Sequence, residues 1–287
     1  RLMHAFGSAN NCYGTEICNW HKDIAPKYTF GSGVGVPDLE HAGCVLLWGC
    51  NPNVSWLAQA QRIAEAKRRG LRTVVVDPRR NGPAVKADSW LQVRPGTDGA
   101  LALGLAHLMM TEGAYDDEFL CRQSNAPALV HAEENRLLVE ADVVLNGSSD
   151  RLVGWDQALS APMALGPSQS AGDPVKDWLL DGEVEVDTLE GPVVCRPVFD
   201  RYRALCRDYS PPKVEAITGV PQAQLRETAR LIWASRPVSW YAWSGVGQHT
   251  NATQTARAIT LLYTLTGSLG QAGGNYQPPG FPLPDLS

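Results

Sequence analysis

The sequence predicts an α/β fold with a parallel sheet and helices on both faces. Three observations predict it. Val45-Leu46-Leu47-Trp48, Thr73-Val74-Val75-Val76 and Trp90-Leu91-Gln92-Val93 are short, unbroken apolar runs, the pattern of strands buried on both sides. Each runs into a polar loop, respectively Gly49 to Asn53, Asp77 to Arg80 and Pro95 to Gly99. Helical stretches alternate with the runs, as in βαβ units.

Taken in order, residues 1 to 37 are rich in Gly, Asn and Cys and read as a loop-rich opening segment. A helix from about Val54 to Arg69 places Leu57, Ala60, Ile63 and Ala64 at helical spacing, and Gly70 stops it. A second helix, Gly99 to Met110, turns Leu101, Leu105 and Leu108 inward. Residues 122 to 210 have short apolar runs among Gly, Pro, Ser and Asp. They are expected to carry little regular structure beyond a hairpin from Gly182 to Cys195. Gln222 to Ala234 reads as helix and Pro237 to Ala242 as strand. Gly245-Val246-Gly247 breaks that strand. Thr253 to Thr266 is helical and ends in a loop holding Gly267, Gly270, Gly273 and Gly274. No internal repeat is visible.

The bulk numbers exclude several functions. A chain of 287 residues can bury a sizeable core. Its net charge of −5 gives no electrostatic argument for nucleic acid or an anionic membrane. Lys67, Arg68 and Arg69 close a helix, where cations suit the macrodipole. No apolar run reaches the length of a bilayer span, so no direct membrane insertion is expected, and no signal peptide is visible. The chain starts at Arg1 and ends in a proline-rich run, Pro278 to Pro284. It is expected to be a piece of a longer polypeptide, so its location, cytoplasmic or periplasmic, stays open. Seven cysteines at irregular spacing argue against a disulfide framework. None has iron–sulfur spacing.

Strand ends are where ligands bind in an open α/β sheet, so Asn51, Asp77, Arg79 and Asp98 line a candidate nucleotide site. Asp77 can accept two hydrogen bonds from a ribose diol or a guanine edge, or simply cap the next turn and pair with Arg79 or Arg80. Arg79 suits a phosphate or a base face. Thr97 and Asp98 are good N-caps as well as candidate ligand contacts. A lone GxG at Gly245 and Gly247 reads equally as a turn or as backbone that approaches a phosphate. No GxGxxG follows the early strands, so the usual NAD or FAD fingerprint is missing. The loop Asn11 to His21 gathers Cys12, Cys18 and His21. It could bind a metal through a soft thiolate or hold two free buried cysteines.

Taken together, these motifs resemble the molybdopterin oxidoreductases of the dimethyl sulfoxide reductase family. The similar segments are Asn11 to His21, Leu46 to Pro52, Thr73 to Arg79, Pro95 to Leu101, Val214 to Val220, and Leu265 to Gly270 with Gly273-Gly274-Asn275. Ser124 to Val130 also looks like the branch containing acetylene hydratase. The resemblance implies a bis(molybdopterin guanine dinucleotide) cofactor carrying molybdenum or tungsten. Cys18 falls at the position of the protein ligand to the metal, with Cys12 as the other candidate, and His21 stands close enough for a proton relay or is a structural histidine. Asn51, Asp77, Arg79, Gly96, Thr97 and Asp98 would hold the guanosine and pyrophosphate of one cofactor arm. Gly245, Gly247 and Gln248 would lie near its metal end.

The family pattern also sets the expected domain organisation. Residues 1–7 would end a preceding domain. Residues 8–244 would form a Rossmann-like domain with the insertion 122–210, and 245–287 would return into a second α/β domain. A [4Fe-4S] domain and a carboxyl-terminal barrel-like domain of the family fall outside this sequence. The expected function is two-electron oxidation or reduction of a small-molecule substrate, with an iron–sulfur electron-transfer subunit as partner and no nucleic acid. The alternatives are a non-redox hydratase using the same metal as a Lewis acid, a metal-free structural subunit of the same fold, and a generic nucleotide-binding domain.

Overall fold

The computed structural model describes residues 5–8, 24–80, 82–166 and 176–276. Its chain order is α1 (Lys27–Phe30), β1 (Val36–Pro37), β2 (Cys44–Trp48), α2 (Pro52–Ser55), α3 (Leu57–Arg68), β3 (Arg72–Val76), a 3-10 turn (Gly82–Lys86), β4 (Ser89–Leu91) and α4 (Asp98–Thr111). There follow α5 (Asp117–Gln123), β5 (Leu129–His131), α6 (Glu140–Val143), β6 (Val153–Asp156), β7 (Ala161–Ala164), β8 (Val184–Thr188), β9 (Gly191–Pro197) and α7 (Val198–Arg207). The last elements are α8 (Pro211–Thr218), α9 (Gln222–Ala234), β10 (Val238–Ala242), α10 (Ser244–Gly247), α11 (Ala252–Leu265) and β11 (Asn275–Tyr276). The chain divides into two units, one of residues up to Ala114 and from Ser210 onward, the other Tyr115–Tyr209.

In the first unit β10, β2, β3 and β4 form a four-stranded sheet in that order. All three pairings are parallel, and Trp48 stands opposite both Ala242 and Val76. Every residue of β2 and β10 is buried, which explains their unbroken apolar runs. Side chains alternate across a strand. Val45, Leu47, Val75 and Tyr241 therefore share one face, packed with Ile63 and Ala66 of α3. On the other face the Trp48 indole reaches Asp98 of α4, and α4 packs on α8, α9 and α11. The expected helix from Val54 is instead two, because Trp56 leaves helical dihedrals and its ring packs 4.7 Å from that of Tyr241.

The amino end of this sheet is closed by hydrogen bonds. Asp88 accepts from Lys67 Nζ at 2.9 Å, Arg72 Nη1 at 2.8 Å and the Thr73 amide at 2.8 Å. Edge strand β10 is capped by side chains, Ser268 Oγ accepting from the Val238 amide at 3.0 Å. The Asn275 amide donates to Trp240 O and accepts from Trp240 N, both at 2.8 Å, taking the place of a neighbouring strand. Gly274 fits there because a Cβ would overlap the Ser268 carbonyl and come 2.7 Å from Tyr263 Oη.

The second unit corrects the expectation of little regular structure. Strands β5, β9 and β8 form an antiparallel sheet and β6 pairs β7. They surround a core of Leu129, Leu138, Val153, Val186 and Cys195. The hairpin expected from Gly182 to Cys195 is β8–β9, with Thr188 paired to Gly191. No described helix is long and apolar enough to cross a membrane.

Candidate functional site

The order β10-β2-β3-β4 contains a reversal. From β2 the chain moves through β3 to β4, and it returns to place β10 on the opposite side of β2. A reversal of this kind makes the carboxyl ends of these two strands the expected ligand position. Four loops meet this end of the sheet: Gly49 to Asn51, Asp77 to Arg80, Gln92 to Thr97, and Trp243 to His249.

The loops after β2 and β10 touch through backbone alone. Gly245 N donates to Gly49 O at 3.0 Å, and Trp243 N to Trp48 O at 3.2 Å. A Cβ on Gly245 would lie 2.6 Å from Gly49 O, and one on Gly49 would lie 2.9 Å from Gly245 Cα. Gly49 also has φ +58°, which L side chains rarely adopt. The glycine of the GxG is thus required by the crossing of two chain segments. Gly247 ends the one-turn helix α10, and Gln248 follows it on the surface.

Asn51 precedes Pro52, the first residue of α2. It is half-buried, and its Oδ1 is fully enclosed with no hydrogen-bond donor. A buried acceptor left in this state costs about 1–3 kcal/mol. Asp77 accepts from the Arg79 amide at 2.7 Å through Oδ1, an Asx-turn that fixes the loop. Its backbone carbonyl accepts from Trp90 Nε1 at 2.9 Å. The Arg79 and Arg80 side chains are exposed, and the Arg80 guanidinium stands 5.6 Å over the Trp90 ring.

Thr97 occupies the N-cap position of α4 but does not cap it. Its hydroxyl donates instead to Arg94 O at 2.7 Å. Asp98 is buried, and its Oδ1 accepts from Trp48 Nε1 at 2.7 Å. Burial raises its pKa from the usual carboxylate value, and the Trp48 hydrogen bond opposes the rise. Gly96 has φ +83°, and a Cβ there would face His249 Nδ1 at 3.7 Å.

The structure therefore gathers Asn51, Asp77, Arg79, Gly96, Thr97, Asp98, Gly245, Gly247 and Gln248 at one end of one sheet. It brings Gly49 and Gly245 into contact and ties Asp98 to Trp48. Cys12, Cys18 and His21 lie outside the described residues. Among the described residues no group of three His, Cys, Asp or Glu could hold a metal. Cys50, in the loop after β2, is buried and its thiol is pushed up to about 12 by desolvation, so it is not a thiolate. Three contributors were not singled out from the sequence: Gly82, Trp90 and His249. Only His249 had a local signal, its place directly after Gln248 in the loop beyond β10.

The family model described as "Molybdopterin oxidoreductase" matches residues 1–280. The chain is 31% identical over 304 residues to "Perchlorate reductase subunit alpha" of Dechloromonas aromatica (strain RCB), covering 94% of this chain and 33% of that protein. It is 29% identical over 292 residues to "Respiratory nitrate reductase subunit alpha" of Haloferax mediterranei, covering 95% of this chain and 29% of that one. Among solved structures it resembles "Acetylene Hydratase from Pelobacter acetylenicus" with a TM-score of 0.61 at 22% identity, over 95% of this chain and 28% of that chain. That likeness concerns the fold. The chain spans about a third of the length of the relatives it matches.

Proposed function

Because the chain belongs to the molybdopterin oxidoreductase family, we propose that it is the part of a larger molybdenum or tungsten enzyme that grips one arm of a bis(molybdopterin guanine dinucleotide) cofactor. One observation carries this reading: the enclosed, donor-less Oδ1 of Asn51 at the reversal point of the sheet. It is an acceptor awaiting a donor of the kind a ribose hydroxyl or a guanine amine supplies. Asp77 keeps acceptor capacity beyond the hydrogen bond that fixes its turn. The exposed Arg79 guanidinium suits a pyrophosphate. Gly96 and Thr97 let a ligand lie close to the backbone before α4, while Asp98 acts through Trp48 by fixing the end of β2. Gly245, Gly247 and Gln248 lie toward the metal end.

When bound, the cofactor supplies a metal centre able to exchange two electrons with a small substrate. The reductases and dehydrogenases named among the relatives support a redox role. Several of these are named as one subunit of an assembly, which supports an iron–sulfur electron-transfer partner, and a [4Fe-4S] cluster is assigned to a region outside this sequence. By sequence position Cys18 is the metal ligand, with Cys12 its competitor, and His21 a proton relay. The residues up to Ala114 and from Ser210 serve as the cofactor-binding body.

The test is metal, pterin and guanine-nucleotide analysis of the full-length matured protein beside its Cys18→Ala variant. The expected result is molybdenum or tungsten with two guanine nucleotides per protein, and altered metal spectroscopy in the variant. Absence of both metals and pterin from wild type sinks the enzyme reading. Unchanged loading and spectra in the variant sink the assignment of Cys18.

A further inference from the structure

We propose that Gly82, outside every motif identified from the sequence, is the positioning residue for Asn51, and that its lack of a side chain keeps the Asn51 amide available to the guanine dinucleotide arm. The inference rests on the cofactor reading given above. Gly82 opens the 3-10 turn Gly82–Lys86, and that turn packs against α2, the helix that Asn51 precedes. A Cβ at residue 82 would collide with Asn51 Oδ1 and lie 3.0 Å from Asn51 Cγ and 3.1 Å from Nδ2. The whole amide plane is therefore laid against the bare backbone of Gly82. This is the amide whose Oδ1 is enclosed and accepts no hydrogen bond.

Two features make this more than tight packing. Gly82 has φ +47°, so the backbone itself selects glycine or, at some cost, asparagine. Buried polar groups are nearly always paired, and the Asn51 oxygen is among the few described side-chain atoms that are not. Here the turn holds the acceptor unpaired, so the cost of leaving it so is met before a ligand arrives, as preorganised sites require. Any side chain at residue 82 must swing the amide out of this orientation.

The test is a double-mutant cycle in the full-length matured protein. Cofactor retention is read as GMP released per protein after acid hydrolysis, and stability as the urea midpoint. Gly82→Ala is expected to lower retained cofactor by roughly threefold or more, the scale of coupling between residues in contact. In an Asn51→Ala background the same change is expected to lower retention no further, because there is no amide left to displace. Gly82→Asn, which tolerates the positive φ but fills the space, is expected to behave as Gly82→Ala in retention while keeping more of the urea midpoint.

Equal losses from Gly82→Ala in both backgrounds would overturn the inference, since the residue would then act through general structure. Wild-type retention in Gly82→Ala would overturn it as well. Both results leave the cofactor reading intact. A wild-type protein without guanine nucleotide overturns that reading, and this inference with it.

Discussion

The two ends of the parallel sheet handle buried polar groups in opposite ways. At the amino end Asp88 is surrounded by Lys67, Arg72 and the Thr73 amide, and these hold its carboxyl well below the usual carboxylate range despite its burial. Midway along the open edge of β10, Asn275 likewise spends both ends of its amide on Trp240. At the carboxyl end Asp98 has the Trp48 indole, burial prevails, and its carboxyl is raised. Asn51 Oδ1 has no donor among the described residues. The amino end spends its carboxylate on structure. The other keeps unspent hydrogen-bonding capacity, and in a fold of this class that is the end where ligands bind.

The largest stability effects are expected along the β10 edge, where the polar groups are spent on structure. Asn275→Ala removes two hydrogen bonds and strands the buried N–H and C=O of Trp240. A loss of about 2–6 kcal/mol is expected, from about 1–3 kcal/mol for each of the two unpaired buried groups. Urea unfolding followed by tryptophan fluorescence measures it. A change below about 0.5 kcal/mol would mean that water replaces Asn275 and that this edge is as open as the ligand end.

The two carboxylates give a contrast of sign rather than size. Asp88 has a depressed folded pKa, so its stabilisation is fully present above the unfolded carboxylate value of about 3.9 and is lost as the pH falls below it. Asp98 has a raised folded pKa, so its ionised form costs stability above that pKa, and the cost fades as the pH falls toward and below about 3.9. Between neutral pH and pH 3, Asp88→Asn is expected to flatten the acid loss of stability seen in wild type, and Asp98→Asn to steepen it. Denaturant midpoints across this range decide the matter. The same direction of change in both variants would remove the distinction between the ends.

The sequence made the sheet legible where burial was two-sided. The runs at Val45, Thr73 and Trp90 became strands because continuous apolar sequence has few other uses. It marked Asn51, Asp77 and Asp98 because they follow such runs directly. It could not show what each side chain touches, since the partners are distant along the chain. Trp48 meets Asp98, Asn51 meets Gly82, and Trp240 meets Asn275 only after folding. The sequence leaves Gly245 open as a turn or a phosphate approach, yet Gly245 and Gly274 are each dictated by a neighbouring backbone carbonyl. The second unit was misjudged because its strands, such as Leu129–His131 and Ala161–Ala164, are too short to display a period.

The smallest stability effect belongs to the carboxyl end, and there it is the informative one. The Arg79 side chain is exposed, and its backbone amide, not its guanidinium, makes the hydrogen bond that fixes the Asp77 turn. Arg79→Ala should therefore move the urea midpoint by no more than about 0.5 kcal/mol. In the full-length matured protein the same variant should lose guanine-nucleotide retention, because a guanidinium facing a pyrophosphate contributes about 1.5–3 kcal/mol per charged hydrogen bond. Gly274→Ala supplies the converse at the β10 edge, with a stability loss of about 1–3 kcal/mol or more from overpacking and no selective effect on the nucleotide among molecules that fold. If Arg79→Ala retained nucleotide as wild type does, the exposed arginine would be surface charge only, and the burden of binding would fall on the unpaired amide of Asn51.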